Sequence, residues 1–474
     1  MAIEQIQKDR LKKLGNIQKL GIDPYPSITP NHQTIFSARK QLNKKVAVVG
    51  RLKSLRPHGK IIFADLEDQT GKIQLFFSQD DFLNNLDIGD FLWTTGEVFK
   101  TQAGEITVRV KRFILLTKSL RPLPSLHFGL KDDETRLRKR YLDLLINPEI
   151  KELFILKSKF WNSVRQYLIE KGGLEVETPV LQPIPGGGDA RAFVTHHYAQ
   201  DMKLYLRISP ELYLKRLLVG GFEKVFEIGR IFRNEGIDDE HLQDYTQMEM
   251  YWAYMDYREL MEFVEDMTKI IIRETLGTLK TSWHGQSIDW GKRWPRVDYT
   301  QLLNQEWGVK TEELSVIDLY QLAKKLGVKV EPNLGKGRLL DYLYKKTVRP
   351  KLIQPQFLIN HPVEVEPLAK RVVGDSEKVQ RMQILAMGSE LGKGFSELND
   401  PIDQKARFKD QMKLRKKGDL EAQMDDPEYV EALEYGMPPA AGFAYSERLF
   451  AMLVDKPIRE MVFFPTMKPE IRKR

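Results

Sequence analysis

The sequence predicts an α/β chain of the α+β kind, with a small β-barrel near the N-terminus and a larger α/β region behind it. Three observations predict this. Five short alternating apolar–polar runs lie between about residues 45 and 117, with turn-forming residues between them. Beyond residue 130, long helical stretches interleave with strand-like segments. A chain of 474 residues also exceeds what one core organises, so about two to four domains are expected.

A helix is expected over residues 3–20, where Ile3, Ile6, Leu11, Leu14, Ile17 and Leu20 recur near helical spacing and Pro24 and Pro26 follow. Strands are expected at 46–55, 61–67, 72–77, 91–99 and 105–116, with a short helix at 80–86. Five strands with a helix between the third and fourth is the order of an OB-fold barrel, which binds single-stranded nucleic acid on aromatic and basic side chains. Phe63, Phe76 and Phe77 fit that role or plain core packing, and alternation alone leaves both open. A Pro-rich stretch at 120–130 reads as a linker, and a long helical stretch follows from 132 to about 171. Further strands are expected at 176–181, 204–208, 224–231, 354–358, 383–388 and 461–464.

Composition narrows the function. With 42% hydrophobic and 30% charged residues, the chain is ordinary for a globular protein. The absence of cysteine excludes disulfides, Cys-ligated zinc, iron–sulfur clusters and thiol nucleophiles. No signal-peptide core is expected beside Glu4, Lys8, Asp9 and Arg10, and no run reaches membrane-helix length, so a soluble, cytoplasmic protein is expected. The net charge of +8 is a mild invitation to polyanions. Basic residues gather in the N-terminal helix (Lys8, Lys12, Lys13, Lys19) and at Arg472, Lys473 and Arg474. A solvated basic face explains them as well as a phosphate-binding one.

No GxxxxGK[ST], strand-borne GxGxxG, HExxH or GxSxG motif occurs. The adjacent His196 and His197 point to opposite faces of a strand, which favours a structural pair over a shared metal site. What remains are groupings of Arg and Glu, suited to phosphate and ammonium recognition. In the run Arg230-Ile231-Phe232-Arg233-Asn234-Glu235-Gly236, Arg233 and Glu235 are expected on one side of a strand, with a guanidinium able to grip a carboxylate or phosphate bidentately. A polar loop then leads to His241 and to a second strand holding Tyr245 and Glu249.

Together with the run from Gly173 to Pro179 and the segment Gly442 to Arg448, these residues resemble motifs 1, 2 and 3 of class II aminoacyl-tRNA synthetases. Ile184-Pro185-Gly186-Gly187, the string LRISPELYLK (206–215), Leu352-Ile353-Gln354-Pro355, Gly394-Phe395-Ser396-Glu397-Leu398-Asn399-Asp400 and Pro438-Pro439 resemble bacterial-type lysyl-tRNA synthetases, in a divergent form. The resemblance runs nearly the whole length. It implies a basic helix at 1–30, an OB-fold anticodon-binding domain at 31–120, a linker at 121–135 and a catalytic domain at 136–474 built on a mainly antiparallel sheet flanked by helices. Motif 1 would lie at about 173–187, motif 2 at about 224–252 and motif 3 at about 436–465, with a weakly matched insertion at about 280–350.

The implied activity is activation of L-lysine with ATP and transfer to tRNA(Lys), by a homodimer using Mg2+. Arg233 and Arg448 would be catalytic. Glu235, His241, Tyr245 and Glu390 would join them around ATP, with Tyr245 and Arg448 sandwiching the adenine. Gly186, Gly187, Ser209, Glu211, Arg233, Tyr251, Phe395 and Glu397 would hold lysine, with Glu397 and Tyr251 at its ε-ammonium and Glu211 at its α-amino group. Metal would meet Glu390 and, where the family has a second glutamate, Gln383. Arg56, Phe63 and Gln74 would read the anticodon. Lys393 replaces the family's Asn, and Tyr445 and Ser446 stand where small residues are common, which would reshape the adenosine floor. These departures also motivate two other readings: a paralogue with altered amino-acid or acceptor specificity, and a non-catalytic nucleic-acid-binding relative.

Overall fold

The computed structural model describes residues 3–59, 61–78, 80–124, 130, 132–236, 238, 240–331, 334–419 and 421–470. Parts of the expected linker and the basic terminal triplet therefore lie outside the described residues. The chain forms two compact units, Met1–Arg136 with Tyr141–Ile146, and Leu137–Arg140 with Asn147–Arg474.

In the first unit, β1 (Lys45–His58), β2 (Ile61–Asp68), β3 (Gly71–Ser78), β4 (Phe91–Lys100) and β5 (Ile106–Thr117) close a barrel in the order β1-β2-β3-β5-β4. Alternation places Val46, Val48, Ala64, Leu66, Ile73, Leu75 and Phe77 inside. A short 3-10 turn, Asp81–Asn85, separates β3 from β4, and the Asp80 side chain accepts the Phe82 N–H at its start. The N-terminal helix α1 (Ile3–Lys19) docks onto this barrel through the buried Ile17 and through Arg10, whose guanidinium donates to the carbonyls of Ile88, Ser119 and Arg121. Lys8, Lys12 and Lys19 stay exposed.

The expected continuous helix over 132–171 is instead three, Asp133–Arg138, Arg140–Ile146 and Pro148–Glu170. Pro148 sits in the first turn of the third, where its missing N–H is harmless, whereas inside one long helix it would break the ladder.

The second unit is built on eight strands in the spatial order Arg296–Asp298, Gln356–Ile359, Arg381–Ala386, Ser389–Ser396, Ala440–Ser446, Asp244–Ala253, Lys224–Phe232 and Leu174–Glu175. Only the outermost pair at each edge is parallel. One face is covered by the helices Pro148–Glu170 and Tyr257–Leu276, which bury Phe160, Trp161, Val164, Leu260 and Val264 against Phe226, Met248, Met250, Trp252, Met382, Ile384, Ala441 and Phe443. An Asp256–Glu259 capping box starts the second helix, and Gly277 ends it at φ 74°. The period of two then turns Gln247, Glu249, Tyr251, Arg381, Lys393 and Phe395 to the opposite face, where they line a cleft.

Two expected strands are absent. Of the expected strand 176–181, residues 176–180 run irregularly between two-residue strands at Leu174–Glu175 and Leu181–Gln182, because Pro179 offers no ladder donor. Residues 461–464 follow a 3-10 turn, Ile458–Met461, that begins after Pro457.

Candidate active site

The cleft on the open face of the sheet encloses about 1080 Å³. One wall is built from the helix Glu211–Val219 and the strand Asp244–Ala253. Gly186 and Gly187 lie directly against that helix. A Cβ on Gly186 would collide with Leu212, and one on Gly187 would come within 2.7 Å of Glu211 and Ser209. Ser209 Oγ donates to Glu249 Oε1 at 2.7 Å and accepts the Glu211 N–H at 3.0 Å. Gln247 Nε2 and the Tyr251 hydroxyl also donate to the Glu249 carboxylate, at 2.6 and 2.9 Å. Burial, then the negative charge of Glu211, raises the Glu249 carboxyl to about 7 despite these three bonds.

Behind this wall lies Glu397, 1% exposed. It packs under Gly442, where any Cβ would collide with Glu397 and the Tyr251 ring. Its partner is Lys215, which also binds Glu211 Oε1 at 2.6 Å. Burial raises both carboxyls and Lys215 opposes it; the two acids together hold the Lys215 ammonium well above its ordinary value against its own desolvation.

The other end of the cleft is cationic. Arg233 does not share a strand face with Glu235, as expected from the sequence. The strand ends at Phe232, and both residues stand in the loop beyond it, with the Glu235 N–H donating to the Arg233 carbonyl. The Arg233 guanidinium still lines the cleft, 5.9 Å from the Tyr245 ring, with Gly188 beside it. Arg448 opens a short helix, Arg448–Leu453, and donates to the carbonyls of Glu240 and Glu390 at 3.0 and 3.2 Å, so it ties the loop to the sheet. His241 pairs with Asp238 at 2.7 Å. Burial pushes the Glu390 carboxyl up, but Arg381, Lys393, Lys345 and Arg448 outweigh it and hold the group below the ordinary carboxylate range.

Residues 132–468 match the family of class II tRNA synthetases (D, K and N), and residues 46–116 match the OB-fold nucleic acid binding domain. The chain is a class II tRNA synthetase. It is 46% identical to the lysine–tRNA ligase of Carboxydothermus hydrogenoformans, over 98% of this chain and 99% of the relative. Similar relatives are the lysine–tRNA ligases of Syntrophomonas wolfei (45%, 98% of each chain) and Moorella thermoacetica (44%, 97% of each chain).

Several residues of this synthetase differ in place from the sequence expectation. Gln383 Nε2 donates to Glu390 Oε2 at 2.6 Å, while its Oε1 faces His361 Nε2 at 3.0 Å. The amide orientation is forced, since Glu390 can only accept. The Gln383 oxygen is thus shared with His361, and its NH2 group faces the Glu390 carboxylate. No cluster of three or more His, Asp or Glu fit for a metal occurs among the described residues. Glu390 alone suits an ion carried on a triphosphate, because magnesium keeps phosphate oxygens and waters as its other ligands. Tyr445 lines the cleft and also packs into the core, its ring 6.1 Å from that of Trp161, and Ser446 Oγ accepts the Arg448 N–H.

Sequence reasoning gave no role to Glu249, Lys215 or Glu366. Glu249 carried a signal, since strand alternation puts it between Gln247 and Tyr251 on the cleft face. The insertion at 280–350 also contributes, through Lys336, Arg338, Lys345 and Arg349 on the cleft rim, whereas its Trp290 and Trp294 are core.

On the barrel, Arg56, Phe63 and Gln74 lie on the outer face of β1, β2 and β3. Phe63 stands opposite Arg56 on one side and Phe76 on the other. The Phe63 and Phe76 rings meet edge to face at 5.5 Å, and Phe99 lies 6.2 Å beyond. Only Phe77 of the three candidate aromatics is core. Arg56 is held bidentately by Asp65 at 2.7 and 3.1 Å, and Gln74 Oε1 accepts from Thr107 at 2.8 Å.

Proposed function

We propose that this chain is a lysine–tRNA ligase, which activates L-lysine with ATP and transfers it to the 3′ end of tRNA(Lys). The observation that carries the reading is the concentration of Glu211, Glu249 and Glu397, all buried, beside a cleft whose far end holds Arg233 and Arg448. Such a site matches a molecule with one ammonium at the end of an apolar stem and a second beside a carboxylate that is to be joined to a phosphate.

In the first step the lysine carboxylate attacks the α-phosphorus of ATP, an Oα–P bond forms and pyrophosphate leaves. The nucleophile is already an anion, so no general base is needed. Catalysis then rests on alignment and on positive charge at the phosphates. Arg233 would bridge the substrate carboxylate and the α-phosphate. Arg448 and Tyr245 would hold the adenine between them, with Glu235 at its amino group and His241 over the phosphates. Gly186, Gly187, Ser209 and Glu211 would hold the α-amino group, and Tyr251, Phe395 and Glu397 the stem and ε-ammonium. Mg2+ riding on ATP would meet Glu390 and neutralise phosphate charge. In the second step a terminal ribose hydroxyl of tRNA attacks the lysyl carbonyl and AMP leaves. Arg56, Phe63 and Gln74 would read the anticodon, Phe63 by stacking.

A homodimer is supported by apolar residues exposed around motif 1, among them Leu174, Val180 and Leu181. No described helix is long and apolar enough to cross a membrane. The reading places the protein in the cytoplasm, with translation.

Amino-acid-dependent ATP–pyrophosphate exchange tests it, with each amino acid supplied in turn. Exchange with lysine alone is expected. Exchange with a different amino acid, or with none, overturns it. Glu397→Gln is expected to raise the lysine KM far more than the ATP KM.

A further inference from the structure

Behind the wall of the pocket given above to the amino acid lies a lysine of the protein's own. Lys215 stands one turn after Glu211 in the helix Glu211–Val219, and its side chain is fully buried. Its ammonium bridges Glu211 and Glu397, with the rings of Phe395 and Tyr251 centred 5.3 and 5.8 Å away. Neither Lys215 nor Glu397 lines the cleft, whereas Glu211, Glu249, Tyr251 and Phe395 do. The ammonium is therefore set behind the wall and not in the opening.

Glu211, Glu249 and Glu397 are 4%, 2% and 1% exposed. Carboxylates gathered out of water repel one another and need compensation. In the fully ionised form, which bound ammonium groups favour, Lys215 supplies one positive charge against three negative ones, so the formal deficit is two. A diamino acid brings two ammonium groups, and a monoamino acid leaves one carboxylate unmatched. Lys215 also fixes where the carboxylates point, since one nitrogen holds oxygens from two separate elements.

We infer that Lys215 is a positioning residue for amino-acid specificity: by bridging Glu211 and Glu397 it leaves the pocket short of the two positive charges that a diammonium amino acid supplies. This rests on the reading of the pocket as the lysine site. Lys215 touches no substrate in this scheme and acts through the two glutamates. A lysine that merely plugged the pocket would behave oppositely, because its removal would open the site and tighten binding.

The test uses the full chain with Lys215→Met, close in shape and neutral, and Lys215→Gln, which keeps a hydrogen-bond donor. ATP–pyrophosphate exchange is run at varied lysine and varied ATP, with thermal melts to check folding. A proton taken up by the glutamates can replace the lost charge, but it cannot hold both carboxylates in place. The lysine KM is therefore expected to rise about tenfold or more in both variants, as for loss of a buried charged hydrogen bond, with the ATP KM within about twofold. A lysine KM that stays within twofold or falls, lysine and ATP constants that move in proportion, or failure of both variants to fold overturns the inference. Wild-type exchange is measured first. If it requires another amino acid, the lysine reading fails and this inference falls with it. If wild type uses lysine and the variants do too with unchanged KM, only the role of Lys215 is lost.

Discussion

Lys393 Nζ lies 3.1 Å from Glu366 Oε2 in the cleft wall, and Arg381 Nε reaches the same oxygen at 3.3 Å. Lys393 stands where the family carries a neutral Asn, close to the expected amino-acid site, and a free cation there would repel lysine. Glu366 turns that charge aside. Glu366→Gln should therefore release Lys393 toward the pocket and raise the lysine KM. The Lys393 side chain is 31% exposed, so solvent screens part of the repulsion and an effect of about tenfold is expected rather than the thousandfold of a fully buried charge. The double variant Lys393→Asn with Glu366→Gln should recover most of the loss. A double variant as impaired as the single one would show that the pair does something other than cancel charge.

Glu249 should make lysine binding sensitive to pH. Burial and the charge of Glu211 raise its carboxyl to about 7 in the free protein. An ammonium bound beside it favours the ionised form, so binding near pH 7 releases a proton. The sign follows: affinity is full above that value and is lost as pH falls through it. Between pH 8 and pH 6 the lysine KM should rise about tenfold, the most that one group titrating near 7 can give over that range. Glu249→Gln should flatten the profile. Calorimetric binding heats in buffers of different ionisation enthalpy would register the released proton directly, and identical heats would refute its release.

Gly442 shows how closely the cleft wall is packed. Its missing Cβ is what lets Glu397 and the Tyr251 ring lie against the strand Ala440–Ser446. Gly442→Ala must displace one of them, at about 1–3 kcal/mol of overpacking. The melting temperature should fall by several degrees. Lysine-dependent exchange should fall further than ATP binding does, measured by comparing KM values on protein that remains folded.

Much of this architecture was readable from local pattern. The barrel strands declared themselves because one face of each is apolar, and Val46, Val48, Leu66 and Leu75 sit where period two puts them. The cleft-lining residues around motif 2, Arg233, Glu235, His241 and Tyr245, were readable from their strings. What escaped depends on partners distant in sequence. Nothing about Lys215 in isolation separates it from an exposed helix lysine, until the fold brings Glu397 from a separate segment behind the same wall. Glu366 acquires its meaning only beside Lys393, 27 positions on. The partners of Gln383 were hidden too, since His361 lies 22 positions before it. The strand reading of Arg233 and Glu235 failed for a local reason, since the ladder stops at Phe232 and the loop sets the direction of both side chains.

On the barrel, Phe63 and Phe76 share the outer face while Phe77 is buried, so a separation of functions follows. Phe63→Ala should reduce aminoacylation of tRNA(Lys) by about 10- to 100-fold, in line with roughly 1–3 kcal/mol for one stacked base. Lysine-dependent pyrophosphate exchange without tRNA should be untouched, because that reaction does not involve the barrel. Phe77→Ala should instead lower the stability of the barrel itself, by about 3–5 kcal/mol for a buried aromatic. Equal damage to exchange and aminoacylation by Phe63→Ala would remove it from tRNA recognition.

The amide of Gln383 stands 2.6 Å from Glu390, and a carboxylate in its place would face another carboxylate at that separation. Gln383→Glu should therefore behave oppositely with and without magnesium. Without the ion, the two acids repel, one of them takes up a proton at an energetic cost, and an O–H bond between the acids replaces the amide N–H bond to Glu390 while the one from His361 to Oε1 survives. Thermal stability should drop by about 1–3 kcal/mol, the usual range for disturbing a buried hydrogen-bonded carboxylate. With ATP and magnesium present, the second anionic oxygen set becomes an asset, because divalent ions gain from each added carboxylate. The magnesium concentration that half-saturates pyrophosphate exchange should fall below that of the wild type, while the lysine KM stays unchanged. Stability and metal requirement are read from separate measurements, a melt in chelator and a magnesium titration of exchange. A variant that melts lower yet needs as much magnesium as the parent would show that residue 383 does not face the metal carried by ATP.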